Sequence, residues 1–113
     1  MKTPKVLVLM STYNGERFLR EQLDSILSQE GVEIILRVRD DGSKDKTCQI
    51  LSDYAAKHKN IEWKACENVG FVKSFSALVR MAADSDSNAD YFAFADQDDI
   101  WMPHKLATAC QAL

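Results

Sequence analysis

Asp96, Asp98 and Asp99 fall within four consecutive positions, in the stretch FADQDDIW of residues 94–101. They follow the apolar run Tyr91–Ala95 directly, and apolar residues resume at Ile100 and Trp101. Carboxylates packed together repel, and the repulsion grows as water is excluded. A polar turn that caps a following helix needs one carboxylate near the helix N-terminus, so three are a surplus. A divalent cation with oxygen ligands accounts for it. Hard carboxylates suit Mg2+ or Mn2+, which keep waters and take their remaining ligands from a diphosphate.

Three other clusters carry groups of use to a ligand. Asp40-Asp41-Gly42-Ser43 reads locally as a tight turn, with Gly42 at positive φ and Ser43 opening a helix. That reading leaves the two aspartates unexplained. An ionised carboxylate at such a place can accept a base N–H or ribose hydroxyls. Thr12-Tyr13-Asn14-Gly15 is either an ordinary loop turned by Asn14-Gly15 or a base site, with Tyr13 stacking on or flanking a base and Thr12 hydrogen-bonding to it. It matches neither a G-x-G-x-x-G fingerprint nor a Walker loop. Asn68-Val69-Gly70 allows close backbone approach at Gly70. Lys73 beyond it balances a phosphate or lies on a solvated helix face. Trp101 is core or the wall of a sugar site. His58 and His104 read as helix-end and helix-surface residues, and no Ser/His/Asp or Cys/His triad is arguable.

The elements that must position these clusters follow from periodicity. Lys5–Met10 reads as a strand covered on both faces. Glu16–Gln29 reads as a helix with Phe18, Leu19, Leu23, Ile26 and Leu27 on one face and Gly31 as its stop. Glu33–Arg39 is a second strand. A second helix is expected from Ser43 or Asp45 to about His58, then a strand over Ile61–Cys66. A helix follows over Phe71–Ala83, a polar connection over Asp84–Asp90, a strand over Tyr91–Ala95 and, after Pro103, a helix over His104–Leu113. The order β-α-β-α-β-α-β-α predicts an α/β, Rossmann-like fold: a mostly parallel sheet with helices on both faces. In a parallel sheet all four polar clusters lie at the carboxyl edge, where open α/β sheets bind ligands.

Composition sets the outer limits. The chain has 113 residues, enough for one domain over 1–113, with 46% hydrophobic and 27% charged residues, the balance of a folded globular protein. A net charge of −3 without a basic block argues against nucleic-acid partners. No apolar run reaches the length of a membrane span. The N-terminal MKTPKVLVLM lacks a small-residue cleavage site and fits a buried strand better than a signal peptide. Cys48, Cys66 and Cys110 form no CxxC pair, and an odd count argues against a disulfide framework, so a cytoplasmic location is expected.

In this order the four clusters resemble the nucleotide-binding half of a family 2 glycosyltransferase with the GT-A fold. The matching stretches are VLVLMSTYNGERFLREQLDSILSQ, DDGSKDKT, ENVGFVKSF and FADQDDIWMPHKL, together spanning residues 5–106. The last is similar to bacterial enzymes that decorate polysaccharides, rhamnosyltransferases among them. The resemblance implies transfer of a hexosyl or deoxyhexosyl group from a nucleotide diphosphate sugar to a hydroxyl of a saccharide or lipid-linked saccharide acceptor, with inversion. It implies that Thr12 and Tyr13 flank the base and ribose and that an aspartate of the Asp40-Asp41 pair contacts the base. Asn68, Gly70 and Lys73 complete the nucleotide site. Asp96 contacts the ribose or donor and joins the metal site, Asp98 holds Mn2+ or Mg2+, and Asp99 serves beside them on the substrate side with Trp101. In such enzymes the catalytic base lies further along the chain, so it is expected beyond Leu113, and the chain reads as an N-terminal portion, inactive by itself. The full-length protein would then act in the cytoplasm, at the inner face of the membrane.

Two rivals differ in class. A non-catalytic nucleotide-sugar-binding module would use the same clusters with no acceptor half. A phosphoacceptor receiver domain would carry its acidic pair after the first strand and its acceptor aspartate after the third, where this chain has Thr12-Tyr13-Asn14 and Asn68-Val69-Gly70. A dehydrogenase is disfavoured by the missing glycine fingerprint.

Overall fold

The computed structural model describes residues 3–83, 89–95 and 100–112. Eight elements alternate as the periodicity predicts: β1 (Lys5–Thr12), α1 (Glu16–Leu27), β2 (Glu33–Asp40), α2 (Thr47–Lys57), β3 (Ile61–Ala65), α3 (Phe71–Ala83), β4 (Tyr91–Ala95) and α4 (Lys105–Ala112). The sheet order is β3-β2-β1-β4, and every neighbouring pair is parallel. The chain steps outward from β1 through β2 to β3, then returns across the sheet to place β4 on the far side of β1. The strand order therefore reverses at β1, the kind of position where open α/β sheets form a ligand crevice.

Side-chain alternation divides the core into two layers. Val6, Val8 and Met10 of β1 and Ile34, Leu36 and Val38 of β2 meet Leu19, Leu23 and Ile26 of α1, Ile50 and Leu51 of α2, and Leu106 of α4. Leu7 and Leu9 point the other way, against Leu78 and Ala82 of α3. Leu7, Leu36, Leu51 and Leu78 are wholly buried, each contributing about 1.5–3 kcal/mol of hydrophobic stabilisation. The α3 layer is thinner, and Phe71, Val72, Val79, Phe92 and Phe94 remain exposed there.

Three boundaries differ from the sequence expectation by two residues or more. β1 runs on to Thr12, because it pairs with β2 through the register Thr12↔Asp40. α1 ends at Leu27 instead of Gln29, where Ser28 caps it. Gln29 is buried and binds the α4 segment: its amide donates to the carbonyl of Met102 at 2.6 Å and its carbonyl accepts from the N–H of Leu106 at 3.1 Å. α2 begins at Thr47 instead of Ser43 or Asp45: Ser43 Oγ accepts from the β1–α1 loop, while Asp45 serves both sides, its Oδ1 accepting the N–H of Thr47 at 2.9 Å and its Oδ2 that of Glu16.

Candidate nucleotide-binding site

Parallel pairing places Thr12 beside Asp40 and Asp40 beside Ala65, and Met10 beside Ala95, so all four strands end along one edge. The loops carrying Tyr13, Asp41 and Asn68 meet there. The chain leaves β4 from the same edge, and the candidate ligands Asp96, Asp98 and Asp99 lie outside the described residues. Among the described residues no group of three or more His, Cys, Asp and Glu side chains is placed to hold a metal.

The two aspartates have different surroundings. Strand alternation sends Asp40 to the α1/α2 side, where it is 1% exposed. Its Oδ1 accepts the hydroxyls of Thr12 at 2.8 Å and Ser43 at 2.6 Å, and its Oδ2 accepts the N–H of Ser43 at 2.8 Å and the thiol of Cys48 at 3.3 Å. Four internal donors fill a carboxylate that has about four lone-pair sites. Asp40 therefore ties β1 to the β2–α2 loop and leaves the ligand-facing set. Thr12 is corrected with it: its side chain is buried and its hydroxyl proton is committed to Asp40, so it has no proton to donate to a base. Burial, and then the Asp40 carboxylate, pushes the Cys48 thiol up to about 11, so it is an inert structural thiol.

Asp41 lies just past the strand, at the floor of a cavity of about 480 Å³ lined by Ser11, Thr12, Tyr13, Asp41, Asn68, Gly70 and Phe71. Its Oδ1 accepts from Arg39 Nη1 at 2.7 Å and from the N–H of Val69 at 2.9 Å, and its Oδ2 accepts from the N–H of Gly70 at 3.1 Å. Burial alone would raise its pKa. The Val69 and Gly70 amides and the Arg39 guanidinium outweigh burial and hold the carboxyl below its ordinary value, so Asp41 is ionised at neutral pH. Tyr13 and Phe71, 46% and 61% exposed, put aromatic rings at the mouth.

Arg39 is the residue that sequence reasoning missed. Alternation carries it with Ser11 to the α3 side, where it is 6% exposed. Besides Asp41 it donates to Ser74 Oγ at 2.9 Å and to the carbonyl of Glu67 at 3.1 Å, and Ser74 Oγ also meets Ser11 Oγ. This polar network docks the first turn of α3 onto the sheet and pins the loop that carries Asn68. A visible signal was an arginine on the inward phase of a strand next to an aspartate pair.

The remaining candidates divide. Asn68 serves the loop, its amide donating to the carbonyl of Asp41 at 3.0 Å. Gly70 adopts φ +90° and lines the cavity. Gly42 adopts φ +79°, and a Cβ there would lie 3.0 Å from the Asn68 nitrogen, so this turn needs glycine for both reasons. Lys73 is on the exposed surface of α3. Trp101 is 5% exposed in the core, its backbone N–H donating to Ser25 Oγ at 3.0 Å and its ring covered by Lys105 at 4.5 Å. Ser25 lies in the later half of α1, away from the edge where Thr12 and Asp40 end, so Trp101 also leaves the ligand-facing set.

The start of α1 differs from a phosphate-binding helix. Its first amides are capped from the neighbouring loop: the N–H of Gly15 donates to Thr47 Oγ1 at 2.9 Å and the N–H of Glu16 to Asp45 Oδ2 at 3.2 Å. Asn14, at φ 48°, donates its N–H to Ser43 Oγ and accepts the N–H of Lys44, each at 2.8 Å. A helix start satisfied by an aspartate offers little to an anion.

The model of the family described as glycosyl transferase family 2 matches residues 7–113. The chain belongs to this family. It is 38% identical over 108 residues to the dTDP-rhamnosyl transferase RfbG of Shigella flexneri, covering 92% of this chain and 36% of the relative. Among solved structures, S. aureus TarS in complex with UDP superposes with a TM-score of 0.79 at 28% identity, over 95% of this chain and 31% of that one. The mannosyltransferase PcManGT of Pyrobaculum calidifontis, in complex with GDP-Man and Mn2+, gives 0.77 at 23% identity, over 97% and 32%, a likeness of fold. The fold is thus the GT-A type, and the chain spans about a third of the length of these relatives.

Proposed function

We propose that this chain is the donor-binding part of an inverting, metal-dependent glycosyltransferase that moves a hexosyl or deoxyhexosyl group from a nucleotide diphosphate sugar to an acceptor hydroxyl in bacterial polysaccharide synthesis. The observation that carries the reading is the cavity at the β1/β2 edge, floored by ionised Asp41 and bordered by Tyr13 and Phe71. An ionised carboxylate between aromatic rings suits a nucleobase, which offers N–H donors at its edge and a flat face for stacking. Family membership and the 38% identity to a dTDP-rhamnosyl transferase support the same reading.

Asp41 accepts from the base, Tyr13 and Phe71 flank it, and the backbone at Gly70 admits it closely. The start of α1 offers the diphosphate little, because the amides of Gly15 and Glu16 are already taken. That leaves its charge to a cation, and the acidic run Asp96-Gln97-Asp98-Asp99 has the oxygen donors for one. Asp98 and Asp96 would hold Mn2+ or Mg2+, with Asp99 beside them. The cation supplies charge stabilisation to the departing diphosphate. The acceptor is a saccharide or lipid-linked saccharide, and the site of action is the cytoplasm, at the inner face of the membrane. Among the described residues no helix is long and apolar enough to cross a membrane.

Calorimetric titration of a nucleoside diphosphate with and without Mn2+ tests the reading. Binding strengthened by Mn2+, with the gain lost in Asp98→Ala, is expected. Binding that ignores the metal would overturn the metal-dependent part, and no binding at all would overturn the donor site.

A further inference from the structure

We propose that the site selects a base presenting a single N–H to Asp41, the imide of uracil or thymine, against guanine, and that Arg39 sets this limit. The inference rests on the donor-site reading and adds the class of nucleotide.

The argument is a count of lone pairs. A carboxylate offers about four acceptor positions, two on each oxygen. On Asp41, Oδ1 already holds Arg39 Nη1 at 2.7 Å and the Val69 N–H at 2.9 Å. Among the described residues Oδ2 holds the Gly70 N–H alone, at 3.1 Å, which leaves one position, on Oδ2. The carboxyl stays ionised, so it has no proton of its own to donate. Uracil and thymine place one N–H, at N3, between two carbonyls, and one vacancy serves it. Guanine presents two donors side by side, N1–H and the exocyclic amino group, spaced to bridge both oxygens of a carboxylate. The second would meet Oδ1, where both positions are taken.

Guanine could displace the guanidinium only at high cost. Arg39 is 6% exposed and held at three places, by Asp41, by Ser74 Oγ at 2.9 Å and by the Glu67 carbonyl at 3.1 Å. Ser74 is itself buried and braced by Ser11. Moving Arg39 aside would leave a buried charge without its partner. The Val69 and Gly70 amides belong to a loop that the same network pins. Occupancy of Oδ1 is therefore fixed before any ligand arrives.

The test is a competition among UDP, dTDP and GDP for the full chain in the presence of Mn2+, read by calorimetry, with Arg39→Met and Arg39→Lys alongside. In the unaltered protein UDP or dTDP is expected to bind roughly tenfold or more tighter than GDP, the effect of one unmade buried hydrogen bond. Arg39→Met opens a position on Oδ1, so the ratio should shrink toward one. Arg39→Lys keeps one charged donor on Asp41 and should preserve it. General damage to the loop would weaken all three nucleotides in the same proportion, and that result would overturn the role of Arg39. GDP binding as tightly as UDP and dTDP in the unaltered protein would overturn the base selection while leaving a nucleotide site in place. If none of the three binds, the inference falls together with the donor-site reading. The comparison on the unaltered protein decides base selection even if Arg39→Met does not fold.

Discussion

Asp40→Asn separates a structural aspartate from a ligand-facing one. The substitution keeps shape and one oxygen but replaces the other with an NH2 group. With its carbonyl at the Oδ1 position, Asn keeps the hydroxyls of Thr12 and Ser43 and sets its NH2 against the Ser43 N–H at 2.8 Å and the Cys48 thiol at 3.3 Å. The flipped orientation faces two hydroxyls, which can turn, but loses the charge in either case. A hydrogen bond to a charged group contributes about 1.5–3 kcal/mol net, and a thiol donor contributes less. The Ser43 amide and the Cys48 thiol lose their acceptor and the two hydroxyl bonds weaken, so a destabilisation of about 2–4 kcal/mol is expected. Equilibrium denaturation in urea measures it as a lower midpoint at unchanged slope, and a thermal scan as a fall on the order of 10 °C. Nucleotide affinity, measured well below the new midpoint, should stay within about threefold of the unaltered protein, since a change under 1 kcal/mol at the base is all that a saturated, non-contacting carboxylate allows. Unchanged stability would refute the count of internal donors. Affinity lost in an otherwise fully folded Asp40→Asn would mean that Asp40, not Asp41, meets the ligand.

Gly42→Ala should destabilise by about 1–3 kcal/mol, because φ +79° is strained for alanine and its Cβ would press on Asn68 at 3.0–3.3 Å. Gly70→Ala, at φ +90° with open space around it, should cost only the backbone strain, about 1 kcal/mol, and urea midpoints for the pair give the comparison. The pH dependence of stability follows from Asp41 and Asp45, whose folded pKa values both lie below the ordinary 3.8. Such groups bind protons more readily when unfolded, so their stabilisation is complete above the unfolded value and is lost as pH falls through the folded one. Denaturation midpoints should be flat near neutrality and fall below about pH 4, more shallowly in Asp45→Asn. An unchanged acid limb in that variant would contradict the bonds from Thr47 and Glu16.

Much of the fold was legible because its signals are local. Apolar runs of five to eight residues alternating with amphipathic stretches can hardly form anything but a βαβ succession, and β2, α3 and β4 fall within about a residue of where periodicity puts them. Boundaries slipped where a side chain has distant work. Ser43 looks like a helix cap in sequence, yet it bonds the amide of Asn14, 29 residues away, and Asp45 holds the start of α2 through Thr47 but also reaches the amide of Glu16. Gln29 looks like the end of a helix and is a buried clasp on the α4 segment.

By itself the sequence determined the α/β succession and the fact that its polar clusters follow strands. A strand's end is encoded where its apolar run stops, and parallel pairing then brings all such ends to one edge. Its motifs also carried the family. Which aspartate is saturated by internal donors was decided by the tertiary structure alone. Asp40 and Asp41 are identical neighbours in the chain, but the two-residue pleat turns one toward Thr12, Ser43 and Cys48 and leaves the other at the cavity floor with Arg39. A carboxylate's remaining capacity depends on donors brought in from other elements, and no local pattern records them. The same holds for Trp101, whose aromatic ring suited a sugar wall until the core layer that holds the α1 side chains buried it.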